Sequence, residues 1–81
     1  RNLAEGIFNV QGRAQYLTNG QWLDAALWEP ANQSLPERQI QFNSKAYFEL
    51  LENEPESAAF LSLGRNVRFV LNGVIWEITE S

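Results

Sequence analysis

The side chains in this sequence with the right chemistry for catalysis or ion binding are carboxylates, because the 81 residues include no His and no Cys. The usual general bases, thiol nucleophiles and soft metal ligands are therefore missing. Asp24 and Glu29 are near enough in sequence to act as a pair, and Glu52, Glu54 and Glu56 form a short acidic run. Neither group has the spacing of a calcium-binding loop.

We predict that these carboxylates are solvated and that none is catalytic. A carboxylate acquires a perturbed pKa through burial or a close charge, whereas the acidic run lies at the junction of two predicted helices. Glu54 and Glu56 there complement the positive end of the second helix dipole. The sequence therefore predicts a protein that is not an enzyme, with no catalytic residue, no metal site and no cofactor.

Length and charge restrict the class of protein. A chain of 81 residues forms one small domain. Because it begins at Arg1 without an initiator Met, we expect residues 1–81 to be a domain excised from a larger protein, with residues 1–6 as a frayed linker. The net charge is −4 and the six Lys and Arg residues are scattered, so we expect no nucleic acid partner. No apolar run reaches membrane-spanning length, so we expect no membrane insertion.

The predicted elements are organised around residues 66–79, which form a β-hairpin that turns at Asn72-Gly73. An Asn-Gly pair between two apolar runs favours a type I′ turn, because both central residues need a positive φ. Counting outward places Phe69 opposite Trp76 and puts six apolar side chains on one face, since side chains alternate along a strand. The six are Val67, Phe69, Leu71, Val74, Trp76 and Ile78. Another part of the chain has to cover this face, because a two-stranded ribbon is marginal in water.

A second pair, Asn19-Gly20, predicts another hairpin within residues 13–26. Its register pairs Leu17 with Trp22, Tyr16 with Leu23, and Gln15 with Asp24. Both faces of this hairpin carry apolar side chains. That pattern indicates either a central position in the sheet or a face turned toward a partner.

Two further strands are predicted from alternation and from breaker residues. Residues 7–11 suit an edge strand, and residues 38–43 alternate as a half-buried strand. Residues 29–37 are predicted to be a loop, because Pro30 and Pro36 remove donors from a strand ladder.

Two helices are predicted between these strands and the final hairpin. Ser44 is an N-cap for a helix over residues 45–53, whose apolar stripe includes Tyr47 and Leu50. Pro55 ends that helix or opens a second one. The second helix is predicted to end with Gly64 at the C′ position.

The predicted order is strand, strand, strand, helix, helix, strand, strand, which is typical of an α+β domain. We expect a small antiparallel sheet or partial barrel of about five strands, covered on one face by the short helical pair. The apolar sides of the helices would then lie against Phe69 and Trp76.

The residues predicted to contact a partner are Trp28, Tyr16 and Leu23. Trp28 borders the Pro-rich loop at a strand end, so it is the aromatic residue expected to be exposed. Trp22 and Tyr47 are expected in the core. An open sheet edge near these residues is a template for strand addition by a partner.

Several motifs carry a family resemblance. Residues 12–24 read Gly-Arg, an aromatic residue, and then Gly-x-Trp-x-Asp. Residues 44–51, 54–55 and 61–67 are similar to a pattern of Ser-x-Ala-Tyr-Phe-x-Leu-Leu, Pro-Glu and Leu-x-Leu-Gly-x-x-Val. Together they resemble the small C-terminal segment of bacterial surface or secreted proteins that carry a vault/inter-alpha-trypsin (VIT) domain and a von Willebrand factor A domain.

The resemblance covers most of residues 8–79. It implies an accessory module beside an adhesion-type domain, an extracellular or periplasmic location, and no metal site in these residues. We therefore expect a non-catalytic interaction or structural module that docks to a neighbouring domain or a protein partner. Two alternatives stay open. One is a small enzyme or ligand-binding protein that uses acidic residues and has at least two buried carboxylates. The other is an acidic inhibitor or regulator with salt-sensitive binding to a basic partner. The oligomeric state is also left open.

Overall fold

The computed structural model describes residues 5–80, which form a six-stranded mixed sheet with two α-helices packed on one face. The strands are β1 (Gly6–Val10), β2 (Arg13–Thr18), β3 (Gln21–Asp24), β4 (Glu37–Gln41), β5 (Val67–Leu71) and β6 (Val74–Thr79). The helices are α1 (Lys45–Asn53) and α2 (Ser57–Leu61), and two short 3-10 turns span Ala25–Trp28 and Pro30–Asn32. The order across the sheet is β1-β2-β3-β5-β6-β4.

The predicted α+β class is confirmed, but the expectation of an all-antiparallel sheet with fewer strands is wrong. β3 pairs with β5 and β4 pairs with β6 in parallel, and the other neighbours are antiparallel. Parallel neighbours are joined by long connections, so no local turn motif marks them in the sequence. β1 and β4 are the two edges and do not pair with each other, so the sheet is open rather than closed into a barrel.

Two-residue turns set the register of three hairpins. Asn19-Gly20 and Asn72-Gly73 have positive φ at both positions, as a type I′ turn requires, and their strands pair in the predicted registers. The third turn, Gln11-Gly12, joins β1 to β2 and also has positive φ at both positions. Gln is uncommon in that conformation, which is why the sequence predicts the edge strand but not its hairpin.

The main core lies between the sheet and the helices. Phe60 of α2 and Phe69 of β5 are fully buried and stack with their ring centroids 4.6 Å apart. Trp76 of β6 is also buried in this core, and its Nε1 donates a hydrogen bond to the Leu71 carbonyl at 3.1 Å. The predicted packing of Phe69 and Trp76 on the helical side is confirmed. Full burial of each Phe side chain contributes about 1.5–3 kcal/mol.

The first helix follows its prediction more closely than the second. α1 has the predicted bounds, and the Ser44 hydroxyl accepts a hydrogen bond from the Tyr47 N–H at 3.2 Å. α2 is shorter than predicted, and the C′ role of Gly64 is wrong because its φ is not in the left-handed region. Gly64 is needed for space instead. A Cβ at that position would lie 3.4 Å from Cδ1 of Trp22.

The opposite face of the sheet is covered in part by the segment between β3 and β4. Ala26, Leu27 and Leu35 of this segment pack over Val70 and Ile75 as a second small apolar cluster. The predicted loop over residues 29–37 contains the 3-10 turn Pro30–Asn32 and turns back onto the sheet through Leu35, and its last residue, Glu37, begins β4. The part of this face near β1 is left uncovered by that cluster.

The predicted linker at residues 1–6 lies mostly outside the described residues. Gly6 is the first residue of β1, and the Glu5 N–H donates to the Leu17 carbonyl at 2.6 Å. Within the described residues, neither helix has the length and apolar character to cross a membrane.

Candidate protein-interaction surface

The outer edge of β1 is apolar on both faces. β1 contains no charged residue and no Pro, and Ile7 and Phe8, which point to opposite faces, are 61% and 56% exposed. Val10 and Arg13 flank the two-residue turn, so they form a hydrogen-bonded pair of the ladder. Alternation along the ladder then directs the backbone groups of Ile7 and Asn9 away from β2.

Four apolar side chains form a continuous strip on the face opposite the helices. Ile7 lies opposite Tyr16 across β1 and β2, and Tyr16 lies opposite Leu23 across β2 and β3. The ring of Trp28 meets the Tyr16 ring edge-on, with centroids 6.0 Å apart. Trp28 is 57% exposed, and Tyr16 and Leu23 are half-buried. We call Ile7, Tyr16, Leu23 and Trp28 the apolar strip.

The apolar strip contains the three residues that the sequence predicts to contact a partner. Trp28 is exposed, as expected, and it touches Tyr16. Contact with a partner stays a prediction. Ile7 is the member that sequence reasoning missed, and the Gln11-Gly12 turn is the feature that places it beside Tyr16.

Trp28 is positioned by the 3-10 turn Ala25–Trp28, which follows β3 directly. Asp24 caps this turn, since its Oδ1 accepts a hydrogen bond from the Ala26 N–H at 3.1 Å. The other side of the turn is held by Asn32, whose Nδ2 donates to the Ala26 carbonyl at 2.8 Å. The place of the exposed indole therefore depends on polar contacts made by its neighbours.

The Asp24 carboxylate is fully buried, so the prediction that it is solvated is wrong. Oδ1 accepts a further hydrogen bond from Gln15 Nε2 at 3.1 Å. Oδ2 accepts from the Val70 N–H at 3.1 Å and lies 3.2 Å from Nη2 of Arg13. Burial of a carboxylate is tolerated when its charge is paired and its oxygens are hydrogen-bonded. The predicted register already puts Gln15 opposite Asp24. That pairing is the feature of the sequence from which part of this cluster could be predicted.

The Asp24 cluster joins the first three strands to the centre of the sheet. Nη2 of Arg13 also donates to the Val70 carbonyl at 2.9 Å, and its guanidinium lies 5.1 Å from the centroid of the Phe60 ring. Each carboxylate oxygen of Asp24 already has two partners. Both oxygens of the Asp24 carboxylate are therefore engaged by groups of the chain itself.

The other carboxylates singled out in the sequence do not converge. Glu29, Glu52 and Glu56 are exposed, and Glu54 accepts a hydrogen bond from Asn72 Nδ2. The two buried carboxylates that a ligand-binding alternative requires are therefore not formed within residues 5–80. The same residues contain no group of three or more Asp or Glu side chains placed to hold a metal ion.

The open face changes character beyond Leu23, where β5 begins. Arg68, the neighbour of Leu23 on β5, forms ion pairs with Glu37 at 3.1 Å and with Glu77 at 3.4 Å. Gln39 donates to the same Glu77 at 3.2 Å. Along this cross-strand row, the face is therefore apolar over β1–β3 and carries ion pairs and hydrogen bonds over β5, β6 and β4.

Comparison of the chain with protein-family models, with curated proteins and with solved structures finds no match. Evidence on function comes from the apolar strip, the edge of β1 and the distribution of charge.

Proposed function

We propose that this domain is a non-catalytic interaction or structural module of a larger bacterial surface or secreted protein. It docks to a neighbouring domain or a protein partner through the apolar strip and the outer edge of β1. The bacterial surface context rests on the resemblance of the motifs at residues 12–24 and 44–67 to the segment that accompanies VIT and von Willebrand factor A domains. The docking role rests on the geometry of β1–β3.

The observation that carries the docking role is the exposure of Trp28 and Ile7 beside the same Tyr16 ring. One exposed apolar side chain is ordinary on a protein surface. Four in a row, with two aromatic rings among them, have the composition of the centre of a protein interface. Because three of the four residues lie on strands and Trp28 lies on a 3-10 turn capped by Asp24, little backbone freedom is lost on binding.

The edge of β1 indicates how a partner would be held. The backbone N–H and C=O groups of Ile7 and Asn9 are directed outward and are the template for an added strand. An added strand would place alternate side chains beside the apolar strip on one face and beside Phe8 on the other. Backbone hydrogen bonds would supply affinity, and the strip would supply selectivity for apolar side chains.

The test is a calorimetric titration of residues 1–81 with the remainder of the parent protein. Trp28→Ser is expected to weaken binding by about 30-fold, which corresponds to a hot-spot contribution of about 2 kcal/mol. The melting temperature should fall by less than about 5 °C, because the indole is mostly exposed.

Phe48→Ser is the matched control, since Phe48 is an equally exposed aromatic residue at 52% on α1. It should leave this affinity unchanged. Equal losses for the two variants, or full affinity for Trp28→Ser, would contradict the proposal. A large fall in melting temperature for Trp28→Ser would make Trp28 a core residue.

A further inference from the structure

A second exposed apolar site lies on α1, on the other side of the sheet from the apolar strip. Phe48 and the half-buried Leu51 line an open depression of about 600 Å³ together with Lys45, Glu49 and Glu52. The Phe48 ring rests edge-on against the buried Tyr47 ring, with centroids 5.2 Å apart. One side of the Phe48 ring therefore packs on a buried residue, while the rest of the ring is exposed to solvent.

A second depression, of about 240 Å³, lies on the other flank of α1 and also includes Glu49. Its apolar lining comes from Ile40, Ala46, Leu50 and Trp76, and both Glu54 and Arg38 lie at the same depression. Apolar surface therefore lies on both sides of the Glu49 carboxylate. We call Phe48, Leu51, Glu49, Glu52 and Glu54 the acidic helix surface.

The acidic helix surface carries three carboxylates, and two cations, Lys45 and Arg38, line the same depressions. Four of the ten carboxylates are paired with arginine, namely Asp24, Glu37, Glu77 and Glu80. By contrast, Glu49 and Glu52 form no ion pair with any residue of the described range 5–80. Residues 45–61 hold one Lys and four Glu, so they carry three of the four net negative charges of the chain.

We infer that the acidic helix surface binds a basic segment of a protein that presents an apolar side chain between Lys or Arg residues. The apolar side chain packs on Phe48, and the basic residues meet Glu49 and Glu52, which form no ion pair within the described residues. Such charge complementarity accelerates association and excludes partners of the wrong sign. A second copy of this chain, a nucleic acid or an anionic membrane would each bring negative charge to the same carboxylates.

This inference is independent of the apolar strip, because the two surfaces lie on opposite faces of the sheet. The test uses a fluorescent amphipathic peptide of about 14 Lys and Leu residues, long enough to form a helix when bound. Its anisotropy is followed as residues 1–81 are added, and a peptide of Glu and Leu is the charge-reversed control. Binding of the Lys/Leu peptide should weaken markedly between about 50 mM and about 250 mM salt, since exposed charges are screened.

Two variants locate the binding. Phe48→Ser is expected to weaken binding by about tenfold, the effect of removing about 1.4 kcal/mol, whereas Trp28→Ser should not change it. The double substitution Glu49→Gln and Glu52→Gln should weaken binding and reduce its dependence on salt. The melting temperatures of all these variants should stay close to that of the parent, because the altered side chains are exposed.

A charge-matched control separates a local site from the overall charge. The double substitution Glu5→Gln and Glu29→Gln removes the same charge from exposed positions outside α1. It should retain most of the affinity. Equal weakening by the two double variants, equal binding of the Glu/Leu peptide, or no binding of the Lys/Leu peptide would overturn the inference.

Discussion

The two edges of the sheet are built differently. β1 (Gly6–Val10) has no charged residue and exposes Ile7 and Phe8. β4 (Glu37–Gln41) has one apolar residue, Ile40, which is buried, and its other side chains are charged or amide. Natural sheets commonly protect an edge strand with charge. β4 follows that rule and β1 does not.

The difference shows that an exposed apolar edge is a feature of β1 and is not shared by β4. Ile7 and Gln39 lie at opposite ends of the same cross-strand row. Gln39 is tied to Glu77, whereas Ile7 lies beside Tyr16. Since the same sheet has one edge suited to solvent and one that is not, β1 is the edge at which we expect a partner.

The edges also belong to halves that are held together differently. β4, β5 and β6 supply most of the sheet residues of the helical core, to which β1–β3 adds Val10 and Trp22. The remaining links between β1–β3 and β5 are two register pairs and the buried Asp24 cluster. The following substitutions test this comparison between the β1 half and the β4 half.

The largest effect is expected for Phe60→Ala, which removes a fully buried ring stacked on Phe69 and lying under Arg13. The loss should be about 4 kcal/mol, close to the roughly 5 kcal/mol of stability expected for a domain of this size. Urea denaturation and hydrogen exchange should show both edges unfolding together. Phe48→Ala, which truncates an exposed ring, is the control. Protection that persists in β4–β6 of the Phe60 variant would show that Phe60 does not support both halves.

A smaller effect, confined to one half, is expected for Asp24→Asn. The substitution keeps the shape but removes the charge that pairs with Arg13 and leaves one buried donor without its acceptor, which costs about 3 kcal/mol. Hydrogen exchange should accelerate in β1–β3 more than in β4–β6. Glu29→Gln, at an exposed carboxylate, should change neither the free energy of unfolding nor the rate of hydrogen exchange. Equal acceleration in all six strands would mean that the two halves open as one unit.

Ile7→Lys puts on β1 the kind of residue that protects β4. It should weaken partner binding by about tenfold, or about 1.4 kcal/mol, and change the free energy of unfolding by no more than about 0.5 kcal/mol. The matched control is Gln39→Lys at the other end of the same row. If that control weakens binding as much, the two edges do not differ in function.

The smallest effect is expected for Glu37→Gln. Arg68 keeps its ion pair with Glu77, and exposed pairs are individually weak, so the loss should be below about 0.5 kcal/mol. Urea denaturation measures it, and a double-mutant cycle with Arg68→Gln isolates the pair. A coupling energy above about 1 kcal/mol would show that charge on β4 stabilises the fold as well as protecting the edge.

Local signals in the sequence were sufficient for part of this molecule. The turns at Asn19-Gly20 and Asn72-Gly73 set both registers, because an Asn-Gly pair suits the positive φ of a two-residue turn. The start of α1 could also be predicted locally, because the Ser44 hydroxyl accepts a hydrogen bond from the Tyr47 N–H three residues later. Those contacts are all within a few residues.

The features that escaped prediction depend on residues far apart in the chain. The parallel pairs between β3 and β5 and between β4 and β6 link segments with no shared turn. Burial of Asp24 requires Val70, which is 46 positions away. The need for a glycine at position 64 comes from the close approach of the Trp22 ring and not from the end of α2. Of the candidate interface, Tyr16, Leu23 and Trp28 could be selected from the sequence, and Ile7 needed the third hairpin.

The place of β6, between β5 and the edge strand β4, has a consequence during synthesis on the ribosome. β1–β3 can pair as soon as residue 24 has emerged, but β4 has no neighbour until residues 74–79 follow. At the usual rate of elongation, the nascent chain carries a lone β4 for about 2 to 8 seconds. The charged and amide side chains of β4 would prevent its unpaired edge from aggregating with other nascent chains during that delay.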